Sequence, residues 1–159
     1  MQKLLLAVIC PVVIKQLVTT GQRYDQPIVD FLRERGLRYF DANLALTEAI
    51  PPFDFYEAAR PVFTHPRFLP ATKVESCQVR SALLSEGSIL VGAEIERAVV
   101  GIRSRIGRGA QVRNSLVLGA DYYETVEESE RARGQGLPPV GIGADSWVEG
   151  AIVDKNARI

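Results

Sequence analysis

The sequence predicts a mainly β protein, a left-handed parallel β-helix of hexapeptide-like repeats behind a short N-terminal extension of mixed α-helical and irregular chain. Two observations predict it. A six-residue unit (aliphatic, small or acidic, two free positions, small, one free) recurs five times in compatible phase. Five-residue steps fill the gaps between these hexads, so that three steps close a coil of sixteen residues from Val79 to Ile95 and of seventeen from Ile95 to Val112.

The unit is read at Val100, Gly101, Ser104 and Ile106, and again at Ile106, Gly107, Ala110 and Val112. Further copies are Ile142, Gly143, Ser146 and Val148; Val153, Asp154, Ala157 and Ile159; and Leu84, Ser85, Ser88 and Leu90. The aliphatic positions therefore run Val74, Val79, Leu84, Leu90, Ile95, Val100, Ile106, Val112 and Val117. A helix needs apolar residues three and four apart, and a half-buried strand needs alternation. Neither period fits, and a β-sandwich leaves the spacing of five or six unexplained. Three short strands per coil do fit, each turning an aliphatic residue inward, with coils stacked at ~4.8 Å. Small residues at the fifth place of the unit are expected to turn the corners.

The flanks follow in chain order. The apolar run from Leu4 to Ile14 resembles the hydrophobic part of a signal peptide, but it contains Pro11 and lacks a small-residue cleavage site. It also falls short of the ~20 apolar residues that span a bilayer, so a buried strand or a displaced fragment end is the preferred reading. Ile28, Phe31, Leu32, Phe40, Leu44 and Leu46 carry helical spacing, with Gly36 separating two helices. Residues 1–48 are thus an extension with a helical segment. Residues 49–73, with Pro51, Pro52, Pro61, Pro66 and Pro70, are an extended connector. The β-helix occupies 74–159, and its repeat is interrupted by an excursion loop over 118–141. Glu124, Glu127, Glu128 and Glu130, followed by Arg131 and Arg133, predict a short solvated helix in that loop, its carboxylates reading as a wet face in preference to catalytic groups. The repeat stops inside a hexad at Ile159, which predicts a truncated prism whose open end associates with a partner or aggregates.

Composition excludes several classes of function. Nineteen Lys and Arg balance nineteen Asp and Glu, leaving no global field for nucleic acid or an anionic membrane, so any anion site must be local. Cys10 and Cys77 have neither disulfide-framework nor zinc spacing. A reducing compartment, the cytoplasm by default, is expected.

Several strings carry a family resemblance: FDANLALTE over 40–48, PPFDFY over 51–56, PRFLP over 66–70 with Thr72 and Lys73, VVGIRSRI over 99–106, GADYYET over 119–125, VGIG over 140–143 and DKNARI over 154–159. From Arg38 to Ile159 the chain resembles the ADP-glucose pyrophosphorylases (glucose-1-phosphate adenylyltransferases), most of all their plant and cyanobacterial branch. The resemblance implies glycogen or starch synthesis, in which glucose 1-phosphate and ATP give ADP-glucose and pyrophosphate with magnesium. It places that chemistry in an N-terminal α/β domain, and it gives the β-helix the roles of supporting a homo- or hetero-oligomer and forming part of an effector pocket. These 159 residues lack the family's glycine-rich phosphate loop, and Arg33, Glu34, Arg35, Gly36 and Leu37 stand where a Trp-Glu-Asp-Ile-Gly-Thr segment is expected. The chain alone is therefore expected to be inactive and to hold no cofactor, ATP and magnesium belonging to the missing domain. A plant source would imply a plastid.

The resemblance also supplies effector-binding candidates. Arg67 stands where plant-type members offer an arginine to an anionic effector, and a guanidinium suits phosphate through two parallel hydrogen bonds. The plainer reading, an ion pair beside the connector, is equally open. Lys155 matches a lysine associated with sugar-phosphate effectors, with Arg158 nearby in sequence. His65, the single histidine, lies where relatives offer an amide donor, and a surface role is its plainer reading. Arg97, Arg103, Arg105, Arg108 and Arg113 read as a solvated basic stripe on the outer wall. Asp121, Tyr122 and Tyr123 are of the types that line sugar sites, but the simpler account is that the two tyrosines pin the excursion loop against the prism and contact a neighbouring subunit. Two other functions stay open. One is a hexapeptide-repeat acyltransferase, disfavoured because His65 precedes the first coil; the other is a structural fragment without a function of its own.

Overall fold

The computed structural model describes residues 39–52, Tyr56, residues 58–59 and residues 67–159. Contacts divide the chain into two compact units, Met1–Arg67 and Phe68–Ile159. In the first, helix α1 (Tyr39–Leu44) runs into a single 3-10 turn at Ala45–Thr47. Ala42, Leu44 and Leu46 are buried. The turn satisfies its own carbonyls: Asn43 Nδ2 donates to Tyr39 O at 2.8 Å and Thr47 Oγ1 donates to Leu44 O at 2.7 Å. This is the last part of the expected helical segment. The rest of that segment, the apolar run, Cys10 and His65 lie outside the described residues.

The second unit is a parallel β-helix. Its strands are β1 (Lys73–Glu75), β2 (Gln78–Leu84), β3 (Ile89–Val91), β4 (Glu94–Val100), β5 (Arg105–Ile106), β6 (Gln111–Val117), β7 (Trp147–Glu149) and β8 (Ile152–Val153). Every pairing is parallel: β1, β3 and β5 form one sheet, and β2, β4, β6 and β7 form another in which β8 also pairs with β6. The long strands bend at Ser81, Arg97 and Asn114, whose φ values of 48°, 48° and 45° are left-handed. Each therefore contributes to two walls, and the short strands form a third.

Register converts the sequence period into three columns. Val74, Leu90, Ile106 and Ile142 stack on one wall, Val79, Ile95, Val112 and Val148 on the next, and Leu84, Val100, Val117 and Val153 on the last. Leu90, Val100 and Val112 are fully buried, and the columns below the first coil make up most of the core. The small residues two places before each aliphatic one also point inward, by the period of two in a strand; Ala93, Ala98 and Ala110 are buried core members, with Cys77, Ala82, Ala151 and Ala157 packed against them. The corners themselves are made by neighbouring left-handed residues, among them Ser76, Arg103, Asp145 and Asn156. The small residues fill the narrow interior beside each corner, where a larger side chain has no room.

Buried hydroxyls close the hydrogen-bond ledger inside the coil. Ser88 Oγ donates to Gly101 O at 3.0 Å and accepts from Ser104 N at 3.2 Å, while Ser115 Oγ donates to Arg113 O and accepts from Ala151 N. The chain leaves the prism after β6 and rejoins at Ile142, whose N–H donates to Arg105 O and whose carbonyl accepts from Gly107 N, both at 2.8 Å. Gly119 marks the departure: its φ is +84°, and a Cβ there would lie 2.1 Å from Ile102 O. Within the excursion, α2 (Val126–Gly134) has a complete capping box between Thr125 and Glu128, with Arg131 and Arg133 in its last turn.

Inward and outward positions should separate cleanly on mutation. Ile95→Ala is expected to lower the unfolding free energy by about 2–5 kcal/mol, whereas Arg108→Ala, at an exposed position, should change it by less than about 0.5 kcal/mol. Denaturant titration followed by far-ultraviolet circular dichroism measures both; equal losses would contradict the register.

Candidate functional site

The excursion begins and ends over the final coil, and there the opposite charges meet. Gly119 O accepts from Asn156 N at 3.1 Å, which sets residues 119–121 directly against residues 155–156. Asp121 is held from two sides. Its backbone N–H donates to Asn156 Oδ1 at 2.9 Å, and its carboxylate accepts from Asn156 Nδ2 at 3.0 Å and from Lys155 Nζ in an ion pair. The Lys155 side chain retains 14% of its exposure and that of Asp121 53%, so the carboxylate forms the more solvent-exposed side of the pair. Asn156 can take part because it occupies a left-handed turn (φ 58°) that its short side chain tolerates.

Three residues further along both segments, Arg158 Nη2 donates to Glu124 Oε1 at 2.5 Å and Arg158 Nη1 donates to Pro138 O at 2.6 Å. Glu124 Oε2 accepts from Val140 N at 2.9 Å. One arginine and one carboxylate thus tie the outgoing limb of the loop, the returning limb and the last coil together. The Glu124 side chain is 2% exposed. Burial pushes its carboxyl upward, but the Val140 N–H, the Arg158 hydrogen bond and charge, and the more distant Arg105 charge outweigh it, and the group is held below its ordinary 4.5.

These contacts revise the reading of the acidic run. Glu127 and Glu130 are exposed as a wet face requires, and Glu128 caps α2, but Glu124 is a buried clasp. The signal was present as matched spacing: Asp121 and Glu124 are three apart, as are Lys155 and Arg158, and each acid lies 34 residues before its base. Asn156, the second donor to Asp121, had no counterpart among the expected site residues.

Tyr123 pins the loop as expected, its hydroxyl donating to Gly87 O at 2.8 Å while the Arg103 guanidinium lies 5.8 Å over its ring. Tyr122 stays exposed and lines a groove with Glu128, Arg131, Gln135, Leu137 and Arg158. The five arginines do not form one stripe, because a period of sixteen or seventeen sends them to different corners and walls. Arg97 donates to Asn114 at one corner, and Arg113 pairs with Glu94 at 3.2 Å and lies 5.1 Å over the exposed Trp147 ring. Arg103 is drawn to Tyr123, and Arg105 and Arg108 are exposed on and beside the first wall. Arg67, half-buried, closes the first compact unit.

Among the described residues no three His, Cys, Asp or Glu side chains are grouped to hold a metal ion, and no helix is long and apolar enough to cross a membrane. The Lys155 ammonium and the Asn156 amide converge instead on the single Asp121 carboxylate, in a charge-assisted contact.

Comparison with known proteins follows the same region. The GLGC left-handed parallel β-helix domain model matches residues 67–159. Glucose-1-phosphate adenylyltransferase large subunit 1, chloroplastic/amyloplastic, of Zea mays is 45% identical over 121 residues, which are 76% of this chain and 23% of the maize protein. The chain therefore spans about a quarter of the length of that relative.

The pH dependence of the clasp has a definite sign. Because the Glu124 value is lower in the folded than in the unfolded chain, its contribution is fully present above the ordinary 4.5 and is lost as pH falls through the folded value. Glu124→Gln should lower the melting temperature at neutral pH and make it less sensitive to acid below that range. An unchanged acid profile would show that Glu124 is not tied as described.

Proposed function

The chain belongs to the family of GLGC left-handed parallel β-helix domains, and on that premise we propose that these residues form the oligomerisation and effector-binding module of a glucose-1-phosphate adenylyltransferase. The observation that carries the proposal is the match over 67–159, joined by the convergence of the Lys155 ammonium and the Asn156 amide on one carboxylate within it. In this reading a catalytic domain outside these residues joins glucose 1-phosphate and ATP, with magnesium, to make ADP-glucose for glycogen or starch. The β-helix answers an anionic sugar phosphate. Lys155 is the effector cation, and Arg67 and His65 are further candidates that the resemblance supplies.

The chemistry suits that division of labour. A β-helix is a stiff one-dimensional stack, so it can hold subunits in register while an excursion loop responds to a ligand. A compact ammonium binds phosphate as a point charge, and Lys155 is placed by a turn in which its own N–H donates to Asp154 Oδ1 at 2.8 Å. The alternative of an acyltransferase draws no support from the family match. A cytoplasmic setting, or a plastid in a plant, is consistent with the free thiol of Cys77.

Thermal unfolding tests the module directly. A phosphorylated sugar acid at roughly a hundred times its dissociation constant should add about 2.7 kcal/mol of stability, several degrees in melting temperature, and the unphosphorylated acid should add far less. Lys155→Ala should abolish the shift, and Arg67→Ala reports separately on the second cation. A shift that survives Lys155→Ala undiminished would refute the site.

A further inference from the structure

The Lys155 site is already filled by the protein. Its two donors, Lys155 Nζ and Asn156 Nδ2, both end on the Asp121 carboxylate, and the Asp121 N–H returns a hydrogen bond to Asn156 Oδ1. A carboxylate gripped by an ammonium and an amide offers the same oxygens, in the same place, that a small oxyanion would offer. We propose that Asp121 is a built-in competitor for this site, and that Lys155 and Asn156 together form a donor pair selective for dianions, which bind by displacing the Asp121 carboxylate. This deepens the effector reading above and rests on it.

The selectivity follows from the tether. Asp121 sits two residues beyond Gly119, which is fixed to Asn156 by a backbone hydrogen bond, so its carboxylate faces the ammonium at an effective concentration on the order of millimolar. A monoanion in solution offers the ammonium no more charge than the residue it must displace. A phosphate dianion offers twice the charge and additional acceptor oxygens. The exposure of the pair permits the exchange: Asp121 is half-exposed and lies on the solvent side of a lysine that is mostly covered, so the acid can swing away without opening the coil.

Displacement would not free the whole loop. Three residues on, Glu124 is fixed by Arg158 and the Val140 N–H, Tyr123 by Gly87 O, and none of these contacts involves Lys155. Movement is therefore confined to the short limb between Gly119 and Tyr123, which carries the exposed Tyr122. The inferred output of ligand binding is a change in the presentation of Tyr122 on the outer surface.

Calorimetric titration of the full chain with inorganic phosphate at slightly alkaline pH, and with acetate in parallel, tests this. Asp121→Asn removes the competing charge and keeps the shape; it should bind phosphate about tenfold more tightly than the wild type. Acetate should bind measurably more weakly than phosphate to both. Adding Lys155→Ala to Asp121→Asn should abolish binding, and adding Asn156→Gly, which suits the left-handed turn, should weaken it. Circular dichroism of each variant confirms that the coil is retained. Hydrogen exchange of the Asp121 amide should rise when the wild type is saturated with phosphate, because its bond to Asn156 is released. If Asp121→Asn binds phosphate no better than the wild type while Lys155→Ala still abolishes binding, the anion site stands and the competitor role falls. If no variant binds phosphate, both fall.

Discussion

Vertical stacking of aliphatic side chains at a coil length of sixteen or seventeen residues is the constraint on which the rest of this molecule depends. Val79, Ile95, Val112 and Val148 meet only because each strand pairs in register with the one a coil away. A slip of one residue would turn a whole wall inside out. The excursion must therefore depart and rejoin without changing register, which Gly119 and the Ile142 pairing accomplish. That requirement also decides which side chains the loop meets. Residues at one corner of successive coils lie about one strand spacing apart, ~4.8 Å, so the first residues of the loop must land on the turn that carries Lys155 and Asn156.

The two ion pairs of the loop are neighbours with different physical characters. The Glu124 carboxylate is withdrawn from water beneath Arg158, and two further groups, the Val140 N–H and the Pro138 carbonyl, bond the pair. Removing Arg158 would leave the Glu124 carboxylate without solvent or its cation, which makes the pair a fixed attachment. Asp121 and Lys155 form a pair with one solvent-facing member, where net stabilisation is small and exchange is easy. A firm anchor beside an exchangeable latch is the arrangement a loop needs to answer a ligand locally while the prism stays rigid.

Much of the fold was legible because its period is unusual. Spacings of five and six exclude helix and simple strand, and the aliphatic positions named from the sequence are the ones that stack. The corners were less legible. Serine, arginine, asparagine and aspartate take left-handed conformations there, and no composition rule singles out Arg97 or Arg103 for that role. The solvated stripe of arginines failed for a related reason: a linear list hides which corner each residue reaches. At the candidate site, the resemblance singles out Lys155 but not the residues it contacts. In the sequence Asp121 is one more acid beside two tyrosines and Glu124 one of a solvated run, and only coil stacking brings them to bases 34 residues away. The pairing of charges across an insertion is set by where the loop re-enters, which the sequence does not state.

The most direct test of this account is a crystal structure of the chain grown in inorganic phosphate. The account predicts a phosphate bound between Lys155 Nζ and Asn156 Nδ2, with the Asp121 carboxylate turned outward and the Glu124–Arg158 clasp intact. Asp121 still paired with Lys155 at saturating phosphate, with the anion bound elsewhere or absent, would contradict it.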